Sequence, residues 1–278
     1  MKPSKYTFIL VVFFLLISNT AYLLAQKIAP DTGFREAKHG VYVIAHRGAH
    51  IGIPENSLAA YQKAIDLGCD FVEIDVRTTK DGGFVSIHNS SVEEYADGIK
   101  GKVSELTLAE LKSLDIGFRI GAQWKGTRIP AFEEILKLCQ GKIGIYLDLK
   151  AASVSALVEI IKKYRMENDI LWYLTADRMQ EIREIVTNCP ECIPMPDPGP
   201  ASNIDLLMDK IHVHALATDM GELSEQFVST AHQYHARVTV DENEGNEDEW
   251  SKIIDWKTDG IQTDRPEALI TFLKKRKR

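Results

Sequence analysis

Two histidines, three carboxylates and two cationic side chains recur in this chain within or just behind short apolar runs. His46-Arg47-Gly48 follows Val41–Ala45, and Glu73-Ile74-Asp75-Val76-Arg77 follows at close range. His88 ends the run Phe84–Ile87, and Asp148-Leu149-Lys150 ends the run Ile143–Leu147. Apolar runs of this length read as strands, and enzymes built on parallel sheets keep their chemistry at strand ends. Glu73 and Asp75 alternate, so on a strand both project from one face. Carboxylate oxygens are hard ligands, which suit Mg²⁺ or Ca²⁺ rather than Zn²⁺. Imidazoles, with an ordinary pKa of ~6.5, suit proton transfer near neutral pH. Arg47 adds forked donors for an anionic oxygen. The combination suits metal-assisted phosphoryl chemistry.

Elements must bring these groups together. Strand-like runs at 41–45, 71–76, 143–148, 170–175, 192–195, 213–218, 237–241 and 259–263 alternate with helical patterns. The helices are expected over 57–67, 131–140, 153–166, 178–187, 202–210, 224–235 and 247–256. This alternation predicts an α/β fold, a (β/α)8 TIM barrel over residues 38–272. The run 192–195 carries prolines and is the weakest strand by propensity. Phe84–His88 has no helix before it, so it is expected to return antiparallel as a protruding β-hairpin. Asp81-Gly82 is a favoured two-residue hairpin centre, which would set Asp75 opposite His88. Residues 89–130 then form a small insertion, with a helix over 107–114 opened by a Thr107…Glu110 capping box. As a long excursion on the catalytic face it is expected to be either a lid or substrate wall, or a rigid packing unit.

The net charge of −7 excludes the basic face that nucleic acid requires, so no nucleic-acid partner is expected. The cationic run Lys274–Arg278 suits a helix C-terminus. Residues 1–25 read as a secretory signal peptide, with Lys2 and Lys5 before an apolar core and Ala25 at the cleavage point. A periplasmic or secreted location is expected, with no stable membrane span after cleavage. Cys189 and Cys192 suit a small loop disulfide or two unpaired thiols, while Cys69 and Cys139 look like core residues. Among other histidines, His212 and His214 enter a strand, at the end opposite to catalysis, and His232 and His235 are expected on a helix surface. His50 and Glu55 are expected to be loop residues, Glu55 serving loop closure.

Five ordered motifs carry a specific resemblance. They are His46-Arg47-Gly48, Pro54-Glu55-Asn56-Ser57, Glu73-Ile74-Asp75-Val76, Thr79-Lys80-Asp81-Gly82 and the segment Asp259-Gly260-Ile261-Gln262-Thr263-Asp264-Arg265-Pro266. The chain resembles the glycerophosphodiester phosphodiesterase family over about 41–272. The resemblance implies a TIM barrel that hydrolyses small-molecule glycerophosphodiesters to glycerol phosphate and an alcohol. It also implies a divalent cation, Ca²⁺ or Mg²⁺, on Glu73, Asp75 and Asp148, catalysis by His46 and His88, and phosphate binding by Arg47 and Lys150. Three positions depart from the family pattern: Asn89 replaces an aspartate after His88, Asp148 a glutamate, and Val238–Asn243 an aromatic segment. Those departures keep two alternatives open: a phospholipase-like or cyclic-phosphate-forming enzyme, and a non-catalytic barrel that binds phosphodiesters or glycans.

Overall fold

The computed structural model describes residues 34–96, 99–242 and 245–276; the expected signal peptide lies outside them. Eight parallel strands form the barrel: β1 (Tyr42–Ala45), β2 (Phe71–Thr78), β4 (Gly144–Ala151), β5 (Ile170–Thr175), β6 (Ile193–Asp197), β7 (Ala215–Asp219), β8 (Arg237–Asp241) and β9 (Gly260–Thr263). The short β3 (Phe84–Ser86) pairs with β2, antiparallel, and Val85 forms an isolated antiparallel bridge to Ala131. Helices α1 (Leu58–Leu67), α3 (Phe132–Cys139), α4 (Val154–Tyr164), α5 (Met179–Asn188), α6 (Ile204–Lys210), α7 (Glu225–Gln233), α8 (Glu247–Asp255) and α9 (Pro266–Arg276) follow the barrel strands; α2 (Leu108–Ser113) belongs to the insertion. Among the described residues, no helix is long and apolar enough to cross a membrane.

The ladder runs β6-β5-β4-β2-β1-β9-β8-β7, so the barrel is nearly closed. Among the described residues, strands β6 and β7 lie against each other without a backbone ladder between them. The sequence explains the seam. The amide of Ala176 donates to the Asp197 carbonyl, so Ile193, Met195 and Asp197 turn their backbone groups toward β5. By alternation, Pro194 and Pro196 face β7, where neither has an N–H to offer.

Outward-facing apolar residues of the strands pack against the helices, as Val43, Ile74, Leu147 and Trp172 do beside Phe132, Leu157 and Phe227. Inside the barrel, Tyr42, Ile44, Phe71, Tyr146, Leu171 and Met195 form a separate buried cluster. Gly144 makes room for it: a Cβ there would lie 2.4 Å from the Phe71 ring. The bottom is therefore a filled plug, and the polar mouth lies at the strands' C-terminal ends. His212 and His214 precede β7 at the plugged end, as expected, with rings 5.3 Å apart.

The hairpin differs from expectation by one residue. Val76 pairs with Ser86 and Thr78 with Phe84, so Asp75 opposes Ile87 rather than His88. The loop has three residues instead of two. The Gly82 amide donates to the Thr79 carbonyl, Gly82 takes φ +81°, and the Thr79 amide reaches the Gly83 carbonyl. Asp81 drives this choice by accepting from Thr79 Oγ1 and from the Leu108 amide of the insertion. The insertion is a packed unit with its own apolar cluster of Val85, Ile87, Val92, Val103, Leu111, Leu114 and Ile129. The capping box forms as read, with Thr107 accepting from the Glu110 amide.

Cys189 and Cys192 are bonded to each other, whereas Cys69 and Cys139 are buried free thiols with pKa pushed up to about 12 by burial.

Candidate active site

Every sequence-predicted site residue lines one cavity of about 280 Å³ at the barrel mouth: His46, Arg47, Glu73, Asp75, His88, Asp148 and Lys150. The β2–β4 register explains the acid cluster. Asp75 lies beside Asp148, and Glu73 lies two residues earlier on the same face. One oxygen from each of Glu73, Asp75 and Asp148 falls within 4.8 Å of the others. Glu73 and Asp75 are only 2% and 1% exposed, too enclosed for water to screen their charge. Burial first, then repulsion from Asp75 and Asp148, holds the Glu73 carboxyl well above its ordinary range. Burial also raises Asp148.

Lys150 answers part of that charge, with Nζ 2.6 Å from Asp148 Oδ2 and 3.3 Å from Asp75 Oδ1. Burial works against its charge, but Asp148 and Asp75 outweigh burial and raise its pKa. Arg47 sits at φ +50°, a left-handed conformation that bends the chain directly behind β1. Its amide donates to Glu73 Oε2 at 2.8 Å. Its guanidinium pairs with both oxygens of Glu55 at 3.2 Å, so Glu55 is an ion-pair partner in addition to a loop residue. Arg47 Nε is buried without a hydrogen-bond partner, 3.8 Å from Asp75 Oδ2. Gly48, at φ +83°, lies so close to α1 that a Cβ would sit 2.7 Å from Ala60 Cβ. Any larger residue would push the loop out of place.

Both imidazoles are held by Nδ1. His46 Nδ1 lies 2.7 Å from Asp264 Oδ1; a carboxylate only accepts, so Nδ1 carries the proton and Nε2 is left as the free nitrogen. That hydrogen bond lowers the Asp264 pKa. His88 Nδ1 lies 2.9 Å from Asn89 Oδ1, and the Asn89 amide nitrogen donates to Glu94. Asparagine therefore does the orienting work at the position where the family pattern has aspartate, with the Glu94 carboxylate behind it, one hydrogen bond further from the ring. The main chain of His88 is clamped separately by Arg77, whose Nη2 donates to the His88 carbonyl at 2.6 Å. This clamp brings His88 to the mouth although the hairpin register differs by one. His50 folds back onto the first loop, with Nδ1 2.8 Å from the His46 carbonyl. His232 is more than a surface residue, since its Nε2 lies 2.8 Å from Asp259.

A buried network beneath the site was not legible from sequence. Asn56 Nδ2 donates to Asp75 Oδ2 at 2.8 Å, and Asn56 Oδ1 accepts from Tyr61 and Ser86. Ser86 Oγ in turn accepts from the Asp75 amide. Asn56 at φ +48° is a residue type that tolerates this conformation. The motif Pro54–Ser57 was the available signal, and Ser57 does cap α1 by accepting from the Ala60 amide. Asp264 lies within the motif Asp259–Pro266, but its pairing with His46 across 218 positions has no local signature.

The family model for the glycerophosphoryl diester phosphodiesterase family matches residues 46–268. The chain belongs to that family. It is 28% identical over 254 residues to a glycerophosphodiester phosphodiesterase of Caldanaerobacter subterraneus, covering 84% of this chain and 98% of that one. A glycerophosphodiester phosphodiesterase of Bacillus subtilis is 22% identical over 281 residues, covering 93% and 95% respectively. Among solved structures, an Oleispira antarctica phosphodiesterase in complex with the product sn-glycerol-3-phosphate superposes with a TM-score of 0.77 at 24% identity, covering 84% and 96%. A glycerophosphodiester phosphodiesterase from Agrobacterium tumefaciens gives 0.74 at 23% identity, covering 83% and 99%. These likenesses carry the TIM-barrel fold expected from the strand and helix alternation.

Proposed function

We propose that this protein is an exported, divalent-metal-dependent phosphodiesterase that hydrolyses glycerophosphodiesters to glycerol phosphate and an alcohol. The observation that carries the reading is the single cavity in which two oriented imidazoles face a three-carboxylate cluster. The residues fit a metal. Their donors are all hard oxygens, and six carboxylates line the cavity against the two cations Arg47 and Lys150. An anionic diester would be repelled by that balance unless further positive charge were present. Glu73, Asp75 and Asp148 would hold Mg²⁺ or Ca²⁺, which supplies Lewis acidity and offsets charge on the phosphoryl oxygens.

The chain's own groups account for the rest. Arg47 and Lys150, both lining the cavity, bind non-bridging oxygens and orient the phosphorus between the imidazoles. One imidazole accepts a proton at Nε2 from the nucleophile, either water or a neighbouring hydroxyl of the substrate glycerol, whose cyclic phosphate product water then opens. The other delivers a proton to the departing alkoxide, which would otherwise leave as a strong base. Asp264 and Asn89 keep both rings in the required orientation. Export is supported by the leader pattern of residues 1–25 and by the Cys189–Cys192 bond, a linkage suited to oxidising compartments. The test is a metal-supplemented assay on glycerophosphodiesters with glycerol phosphate as readout, alongside mass determination of the mature N-terminus. Absence of turnover on every diester would refute the activity, and a mature chain that keeps residues 1–25 would refute the cleaved leader.

A further inference from the structure

The insertion after β3 sends side chains back to the catalytic groups. Its turn at Val92–Ala96 is held locally, the amides of Tyr95 and Ala96 both donating to the Val92 carbonyl. Glu94 on that turn accepts from the Asn89 side chain, the group that holds the His88 ring. The neighbouring Tyr95 touches the supports of two different catalytic groups with one atom. Its hydroxyl accepts from the Asn89 amide at 3.2 Å and donates to Glu55 Oε1 at 3.3 Å. Glu55 in turn receives Arg47 Nη1 at 3.2 Å. The phenolic oxygen therefore stands two hydrogen bonds from the Arg47 guanidinium and directly on the main chain of the residue that orients His88.

Packing does not require that oxygen. The Tyr95 ring lies against the apolar cluster of the insertion, a role that a phenylalanine would fill equally well. Burial and the Glu55 carboxylate raise the phenol above its ordinary pKa, so it stays protonated and able to donate. A cavity of about 240 Å³ lies beside the Arg47–Glu55 pair, bordered also by Asn89, Glu94, Tyr95 and Ile116. Two long side chains next to open space are not immobilised by packing, and pairing them costs side-chain entropy. Their placement then depends on the hydrogen bonds they make. Among the described residues lining the catalytic cavity Tyr95 is absent, so it acts through its neighbours and not on the substrate.

We propose that Tyr95 is a positioning residue for phosphodiester hydrolysis: its hydroxyl sets the separation between the His88 imidazole and the Arg47 guanidinium, which makes the insertion part of the active site. Placement on the ångström scale governs such reactions, because the proton-transferring nitrogen must meet its oxygen while the phosphate is held. The inference rests on the phosphodiesterase reading, so its test has one arm with turnover and one without. In the first, Tyr95→Phe keeps the ring and removes only the oxygen, with the denaturation midpoint as the control for folding. On a glycerophosphodiester that the wild-type protein hydrolyses, kcat/KM falls about tenfold, the lower end for a hydrogen bond to a charged group, with kcat lowered and KM raised. A tyrosine with only a packing role would shift the midpoint and leave both constants in place. When Glu55→Gln is already present, Tyr95→Phe adds little further change in KM, since the two act on Arg47 in series. Unchanged kcat and KM in Tyr95→Phe, or the same KM effect with and without Glu55→Gln, overturns the proposal and leaves the hydrolysis reading intact. In the second arm, calorimetry measures sn-glycerol 3-phosphate binding to the full protein in the presence of Mg²⁺. Tyr95→Phe weakens that binding about three- to tenfold. This result upholds the link to Arg47 even if no diester is turned over; unchanged binding overturns it.

Discussion

The two faces of the barrel mouth are both acidic, yet they are built in opposite ways. On the β1–β2–β4 face, Glu73 and Asp75 are sealed from water and tied to Asn56, Tyr61, Ser86, Arg47 and Lys150. On the β6–β8 face, the aspartates stand at strand ends, Asp197 and Asp219 with local turn donors and Asp241 beside the Gln262 side chain, and Asp219 and Asp241 are exposed. The first face fixes its charges before substrate arrives, which is the arrangement that stabilises developing charge without reorganisation. The second leaves its charges open to whatever the substrate brings.

That contrast can be broken first at its strongest point. Chelation followed by gel filtration should reduce diester hydrolysis to background, with Mg²⁺ or Ca²⁺ restoring it; a metal-stripped protein of undiminished rate would mean that the carboxylate cluster has another purpose. Next in size, His46→Ala and His88→Ala should each lower kcat by roughly 10²–10⁴-fold with a much smaller change in KM. Single-turnover kinetics would check that the loss lies in the chemical step. Asn56→Ala should separate the faces by stability. It removes one hydrogen bond from each of Asp75, Tyr61 and Ser86, but Tyr61 and Ser86 still pair with each other and Asp75 keeps Lys150, so the loss should be ~1–3 kcal/mol, the cost of one unsatisfied buried group. Asp219→Asn, by comparison, should stay within about 0.5 kcal/mol, because it sits exposed and keeps its capping oxygen. Equal denaturation midpoints for the two variants would remove the distinction.

The smallest expected effect is one of pH, beside the open face. Burial pushes the Glu242 carboxyl up to about 7, helped by Glu249 and opposed by a hydrogen bond from Thr263. A raised carboxyl stabilises the folded state fully below its unfolded value of ~4.3 and loses that contribution as pH rises through the folded value. Thermal stability should therefore decline from pH 5 to pH 8. Glu242→Gln should flatten that decline by on the order of 1 kcal/mol, after discounting for solvent screening. A melting curve with the same slope in both proteins would show that Glu242 does not titrate as described.

The sequence resolved these features unevenly. All eight barrel strands were legible because apolar runs alternated with amphipathic helices, and β6 was recognisable even though its prolines weaken it. The acid cluster was legible because Glu73 and Asp75 share a strand face and Asp148 ends the neighbouring strand. Hairpin register was not, since Asp81-Gly82 is compatible with two- and three-residue loops and the deciding contact, Asp81 to Leu108, comes from the insertion. Nor were the partners of the imidazoles: Asn89 was visible only as a departure, and Asp264 reaches His46 through closure of the barrel. Side chains that meet through tertiary closure leave no periodicity to read.

The proline-lined join between β6 and β7 has a mechanical consequence. A cylinder bound by backbone ladders on every side but one has a predetermined parting line, so tension or a brief thermal opening would separate Ile193–Asp197 from Ala215–Asp219 before any other neighbours. Asp197 and Asp219 stand on opposite lips of that line. Widening it would enlarge the open side of the mouth while the carboxylate cluster across the barrel stayed fixed.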